Sequence, residues 1–115
     1  MNSDDFKEFD EQLQKTKKRL EDNILNLKDE MESIVLKDDI NDMEDMASVE
    51  SESMHHRELI KQQQHELDEV IHALSKIKSG TYGVCEESGD SIPLDRLRAE
   101  PHTRYCLKYA MKIEK

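Results

Sequence analysis

Two cysteines stand in a pattern typical of a zinc knuckle that has lost half of its ligands. Cys85 begins the stretch Cys-Glu-Glu-Ser88, and Cys106 begins Cys-Leu-Lys-Tyr109. Two C-x₂-C pairs about twenty residues apart would be a strong signature of structural zinc, because four thiolates close a tetrahedral shell around the metal. Here Ser88 and Tyr109 occupy the second position of each pair. The sequence therefore predicts a degenerate knuckle, with the framework of a zinc site but without its full ligand set.

Apolar packing must then supply the stability that zinc, worth about 10–16 kcal/mol in small metal domains, would otherwise give. Zinc held by two thiolates is the alternative, and we expect no bound metal, with Tyr109 filling the space of a missing thiolate. Cys85 and Cys106 could also form a disulfide, whereas a reducing compartment favours two free thiols. The residues expected to pack around the knuckle are Tyr82, Ile92, Leu94, Leu97, Tyr105, Leu107 and Tyr109.

A second group of candidate residues is acidic. The net charge is −10, and carboxylates are concentrated between residues 37 and 54, in a stretch that includes Asp42 and Asp45 and then Ala47. As a functional feature, this concentration would interact with a basic pocket or a bound cation; alternatively it is a solvated loop in which Asp42 caps a helix. The negative charge and the lack of a basic recognition helix exclude sequence-specific DNA binding.

Long helices must position these groups. A run from about residue 4 to 36 contains no Gly or Pro and repeats apolar residues every three or four positions, which predicts one helix with a coiled-coil seam. Ser3 is its expected N-cap, followed by acidic Asp4 and Asp5. The seam consists of Phe6, Phe9, Leu13, Thr16, Leu20, Ile24, Leu27, Met31 and Ile34.

A second helix is clearest from Leu59 to Lys78, and it is expected to begin near 43–47, since nothing before Leu59 would stop it. Two such narrow stripes are most economically buried in an antiparallel hairpin. The fold class is therefore mainly α: a coiled-coil hairpin (1–79, tip near 37–47) and a small degenerate knuckle with a C-terminal helix at about 102–112 (80–115).

The start of the chain resembles no secretory signal, and no run reaches the ~18 apolar residues that a membrane helix needs. The expectation is a cytoplasmic protein that does not interact with membranes.

The ordered set of these motifs resembles the DksA/TraR family of bacterial transcription factors over roughly residues 5 to 112. The match rests on the tip stretch beginning at Asp42, on Gly80-x-Tyr-Gly-x-Cys85, and on the pattern from Ile92 through Pro101 to Cys106. This resemblance implies a factor that binds RNA polymerase, inserts its acidic tip into the secondary channel, and modulates open-complex stability as part of the stringent response. It implies that Asp42 and Asp45 are the functional carboxylates and that Ala47 packs against polymerase.

In members of the family that the chain resembles, basic side chains help to bind the alarmone ppGpp. The corresponding positions in this chain hold Glu69, Glu100 and Ala110. Carboxylates would repel a polyphosphate, so we expect weak ppGpp synergy. The competing interpretation is a non-catalytic coiled-coil adaptor whose seams pair between chains. Finding the protein to be a monomer in solution would favour the intramolecular hairpin over this adaptor. An enzyme is not expected, because no group that would orient a Cys–His pair is evident.

Overall fold

The computed structural model describes residues 1–35 and 43–106, without the side chains of residues 34–35 and 43–50. Three helices are present in these ranges: α1 (Ser3–Val35), α2 (Met43–Ser79) and α3 (Leu94–Ala99). The two predicted long helices are confirmed, and α2 begins within the range expected for it. The predicted turn between them, and Asp42 with it, lies outside the described residues. No helix in the described part of the chain is long and apolar enough to span a membrane.

Contacts divide the chain into two compact units. Unit 1 comprises Met1–Lys17 and Asp68–Lys115, and unit 2 comprises Lys18–Leu67. Both long helices contribute to each unit. The sequence analysis instead divided the chain after residue 79, which is where α2 ends.

The core of unit 1 joins the start of α1 to the end of α2 and the knuckle. Tyr82 is its centre, because its ring packs against Phe6 and Phe9 with centroid distances of 6.3 and 5.6 Å. Phe9 and Leu97 are fully buried. The ring pairs of Tyr82 with Phe6 and with Phe9 add stability beyond their buried area. The remaining buried residues are Leu13, Val70, Ala73, Leu74, Cys85 and Ile92.

In unit 2 the two helices pack antiparallel. Glu30 contacts His56, while residues nearer the start of α1 line a groove with Gln64 and Leu67. Residues later in α1 therefore lie beside residues earlier in α2, as in an antiparallel pair. The buried seam residues of this unit are Leu20, Ile24 and Leu67, and the first two belong to the seam predicted for the first helix.

The start of α1 and the end of α2 are capped. The Asn2 side-chain oxygen accepts a hydrogen bond from the Asp5 N–H at 2.9 Å, and the Asp5 carboxylate accepts one from the Asn2 N–H at 3.1 Å. The predicted N-cap at Ser3 is therefore wrong by one residue, because this reciprocal capping box begins at Asn2. At the other end, Gly80 has a φ of +79°, as expected for a C′ glycine.

The end of the described chain differs from expectation. The helix predicted from His102 does not begin there: residues 102–106 are turn and irregular structure. The reason is that the carbonyl oxygens of Arg104 and Tyr105 accept hydrogen bonds from Glu86 and Arg96, and are not available to a helix. Residues 107–112 lie outside the described residues. Instead, the short α3 precedes the turn, and the sequence analysis missed it.

Candidate functional site

The knuckle begins with a closed loop that carries Cys85. Val84 and Ser91 form an antiparallel bridge, and the Cys85 N–H donates to the Asp90 carbonyl at 2.8 Å. The Cys85 carbonyl in turn accepts the Gly89 N–H at 2.9 Å. This backbone network reverses the chain within seven residues and fixes Ser88 close to the cysteine that precedes it.

A second segment of the chain, residues 104–106, brings Cys106 close to Cys85. The Glu86 N–H donates to the Arg104 carbonyl at 2.9 Å, and the Cys106 N–H hydrogen-bonds to the Cys85 sulfur. Both thiols are free, with Cys85 buried and Cys106 partly buried. The structure therefore brings together Cys85, Ser88 and Cys106, while Tyr109 lies outside the described residues.

The surroundings of Cys85 favour its thiolate. Burial raises the pKa of this thiol, but hydrogen bonds from the Ser88 hydroxyl and from the N–H groups of Cys106, Ser88 and Glu87 together lower it to about 6. Hydrogen bonds to the charged form outweigh the desolvation here. A thiolate at this position is thus held by protein donors.

A four-ligand zinc shell does not fit these residues. At the second ligand position the Ser88 side chain carries a neutral hydroxyl, which hydrogen-bonds to Cys85 and accepts the Asp90 N–H at 3.2 Å. Structural zinc sites use four Cys or His ligands. Among the described residues, no group of three or more Cys, His, Asp or Glu side chains is placed to hold a metal ion.

Charged side chains attach this knuckle to α2, in what we call the Glu86 cluster: Glu69, His72, Lys76, Glu86 and Arg104. The Glu86 carboxylate lies 2.6 Å from His72 Nε2 and 3.6 Å from Lys76 Nζ. Arg104 donates two hydrogen bonds to the Glu69 carboxylate, at 2.7 and 2.9 Å. Burial raises the pKa of Glu86, but His72, Lys76 and Arg104 lower it overall. The cluster therefore joins both legs of the knuckle to one helix.

Two further side chains, Tyr82 and Arg96, connect segments of the knuckle by hydrogen bonds. The Tyr82 hydroxyl donates to the Pro101 carbonyl at 2.7 Å. Arg96 donates to the Tyr105 carbonyl at 2.9 Å and to the Thr103 hydroxyl at 3.1 Å. Of the apolar residues predicted to pack here, three are buried (Tyr82, Ile92 and Leu97), two are partly buried (Leu94 and Tyr105), and Leu107 and Tyr109 lie outside the described residues.

Sequence reasoning missed the Glu86 cluster and the role of Arg96. Glu69 and Arg104 are 35 positions apart, so no local pattern connects them. The spacing of His72 and Lys76, four apart and thus on one helix face, was the available signal.

The acidic tip is described only in part. Asp45 and Ala47 lie near the start of α2, which begins at Met43, and their side chains are not described. Asp42 lies outside the described residues. The helix places Asp45 in its first turn, where the dipole favours a carboxylate.

Comparisons with known proteins agree on the knuckle. Residues 80–114 match the prokaryotic dksA/traR C4-type zinc finger family. General stress protein 16O of Bacillus subtilis is 48% identical over 48 residues, which cover 42% of this chain and 29% of that protein. The RNA polymerase-binding transcription factor DksA of Caulobacter vibrioides is 35% identical over 60 residues, or 52% of this chain and 42% of that protein. The matched segments thus span less than half of these relatives.

Solved structures extend the likeness to the helices. Transcription factor DksA2 from Pseudomonas aeruginosa superimposes with a TM-score of 0.89 at 25% identity, covering 99% of this chain and 86% of that one. The RNA polymerase binding protein and transcriptional regulator Dks from Chlamydia trachomatis shares the fold, with a TM-score of 0.59 at 23% identity, covering 99% of this chain and 92% of that one.

Proposed function

Residues 80–114 of this chain belong to the prokaryotic DksA/TraR family of C4-type zinc fingers, and from this premise we propose that the chain is a bacterial transcription regulator that binds RNA polymerase. The observation that carries the proposal is the likeness to DksA2, which extends over nearly the entire chain and so includes α1 and α2 as well as the knuckle. Transcription factors with this fold act by binding, so the proposed role is non-catalytic. We also propose that the protein is cytoplasmic and acts as a monomer.

The proposed mechanism places the start of α2 in the secondary channel of polymerase. There Asp45, with Asp42, would present carboxylates to the basic residues and magnesium of the active centre, and Ala47 would pack beside them. Their effect is electrostatic and steric, and changes the stability of the open complex. This proposal is supported by the concentration of carboxylates between residues 37 and 54.

The knuckle is proposed to work without zinc. Ser88 replaces a thiolate with a hydroxyl, and the Glu86 cluster and Arg96 hold the same segments together by hydrogen bonds and ion pairs. Each partly buried, charge-assisted contact contributes modestly, but several acting on one segment can fix its position.

Synergy with ppGpp is proposed to be weak. Glu69 is committed to Arg104 through two hydrogen bonds, and Glu100 lies 3.9 Å from Arg96 and 3.7 Å from His102. At both described alarmone positions the side chain is therefore a carboxylate engaged with a cationic or titratable partner. A polyphosphate would have to compete for those partners.

The testing experiment combines binding to core RNA polymerase with open-complex lifetime at a ribosomal RNA promoter. The wild type is expected to shorten the lifetime, and Asp45→Asn to retain binding but lose most of the effect. Glu58→Gln is the matched control, because Glu58 is an exposed carboxylate farther along α2. It should behave as the wild type.

Absence of polymerase binding, or failure to compete with a known secondary-channel factor, would contradict the proposal. The adaptor interpretation would then apply, with seams that pair between chains. Sedimentation of the free protein separates the two architectures, since the hairpin is expected to be a monomer.

A further inference from the structure

His56 of unit 2 lies between two hydrogen-bond acceptors. Its Nδ1 is 2.9 Å from the carbonyl oxygen of Glu52, one turn earlier in α2. Its Nε2 is 3.1 Å from a carboxylate oxygen of Glu30, on α1. A neutral imidazole carries one N–H, whereas the imidazolium carries two. Only the protonated ring can donate to both acceptors in this geometry.

The contact lies where the two helices have little apolar material in common. Between residues 51 and 58 of α2, Ser53 is the one buried side chain, and its hydroxyl has no hydrogen-bond partner among the described residues. The His56 side chain itself is 16% exposed, so solvent replaces its hydrogen bonds poorly. The Glu30 side chain is 63% exposed, so solvent screens that end of the contact. The cross-helix contact from Glu30 to His56 matters along this stretch because the two helices share little apolar material there.

Among the side chains that the structure describes, the charged and titratable groups shown to interact with His56 are Glu30 from α1, and Glu52 and His55 from its own helix. The His55 ring lies 6.3 Å away, edge to face. The backbone carbonyl of Glu52 and then the Glu30 carboxylate raise the pKa of His56 above 6.5, against a smaller lowering by burial. Both carboxylates favour the charged ring.

We propose that His56 is a proton-operated link between α1 and α2, which tightens unit 2 when the ring is protonated and loosens it when the ring is neutral. Because the folded protein raises the affinity of His56 for a proton, the stabilisation is complete below the unfolded pKa of 6.5 and is lost as the pH rises through the folded pKa. α2 continues from this link back to Asp45. The proton link itself does not depend on the proposed function, and only its expected effect on transcription rests on that proposal.

The proton link is tested on the full chain without polymerase. Proton NMR titration should place His56 above 6.5 in the wild type, and Glu30→Gln should move it down. Amide exchange in α1 and α2 of unit 2, corrected for intrinsic rates, should be about two- to fivefold slower at pH 6 than at pH 8. This difference should vanish in His56→Gln, and the neighbouring exposed His55→Gln is the control that should keep it.

Titration of His56 at or below 6.5, or an unchanged pH dependence of exchange in His56→Gln, would overturn the link. A final arm measures open-complex lifetime at pH 6.5 and 8 for the wild type relative to His56→Gln. A raised His56 titration with no effect of either protein on polymerase would support the link and count against the proposed function, so the two failures are distinguishable.

Discussion

One substitution at the residue scale explains much of the knuckle. Ser88 stands where the C4 pattern requires a thiolate, and its hydroxyl donates to Cys85. A potential metal ligand has thereby become a hydrogen-bond donor for the remaining thiolate. Cys85 consequently has hydrogen-bond donors from Ser88, Glu87 and Cys106 around its sulfur.

Cys85 is expected to titrate near pH 6 in the folded protein, against an ordinary value of 9.0. Thiolate absorbance should show this in Cys106→Ser, which keeps the backbone N–H at residue 106. Because the folded pKa is depressed, the thiolate stabilises the fold fully above pH 9 and loses this contribution as the pH falls towards 6. Ser88→Ala should raise the pKa, whereas Ser91→Ala, in the same loop, should leave it in place. Titration of Cys85 near 9 would contradict this account.

At the element scale, the knuckle is held by short segments that each contribute one anchor. α3 has only six residues and no side-chain N-cap hydrogen bond, so it is too short to be stable by itself. It forms because Leu97 is fully buried and because Arg96 contacts the chain beyond it. The loops on either side are then placed by hydrogen bonds from these same residues.

Leu97→Ala should reduce the free energy of unfolding by about 2–5 kcal/mol, because a large side chain is removed from a fully packed site. Chemical denaturation measures this loss. Leu25→Ala is the control: its side chain is 59% exposed, and its cost should stay within about 0.5 kcal/mol. Equal costs for both variants would show that α3 is not part of the core.

The pair of Arg104 and Glu69 should show a favourable coupling energy of about 1 kcal/mol in a double-mutant cycle with Arg104→Ala and Glu69→Gln. The two hydrogen bonds and the partial burial of both side chains, 30% and 22% exposed, support this value. The same cycle on Arg98 and Glu8, 4.0 Å apart and half exposed, should give almost none. Indistinguishable couplings would remove the Glu86 cluster as an anchor of the knuckle.

For the whole molecule, the sequence predicted the long helices and most of their buried stripes, because periodic apolar residues without Gly or Pro specify a helix locally. It did not predict α3, or the irregular backbone from residue 102, since both depend on side chains from distant segments. No local pattern predicted the hydrogen bonds that Arg96 donates to Tyr105 and Thr103 or those that Arg104 donates to Glu69, because they depend on the fold of the knuckle.

The purified protein is expected to contain far less than one zinc per chain, and its thermal unfolding should be insensitive to a chelator. Restoring the pattern with Ser88→Cys and Tyr109→Cys should create a site that binds one zinc and makes the melting temperature chelator-sensitive. Elemental analysis and calorimetry measure both. Stoichiometric zinc in the wild type would overturn the zinc-free proposal.

Removal of polymerase's own separate alarmone site should abolish most of any ppGpp enhancement, since Glu69 and Glu100 oppose a polyphosphate at the shared site. Open-complex lifetimes with and without ppGpp test this. Glu69→Lys should increase the enhancement, and Glu58→Lys, on the exposed side of α2, is the charge-matched control. A large enhancement that persists in the wild type without the polymerase site would contradict weak synergy.

The division of the chain into units also orders its folding. Unit 2 is one continuous segment, Lys18–Leu67, whereas unit 1 joins Met1–Lys17 to residues beyond Asp68. Unit 1 must therefore close a loop of about fifty residues, unless pairing within unit 2 has already brought the ends of that segment together. When the helices of unit 2 pair, the two segments of unit 1 are brought closer together, and the entropy cost of closing the loop is reduced. We therefore expect the contacts of unit 1 between Met1–Lys17 and the segment that begins at Asp68 to form after the helices of unit 2 have paired.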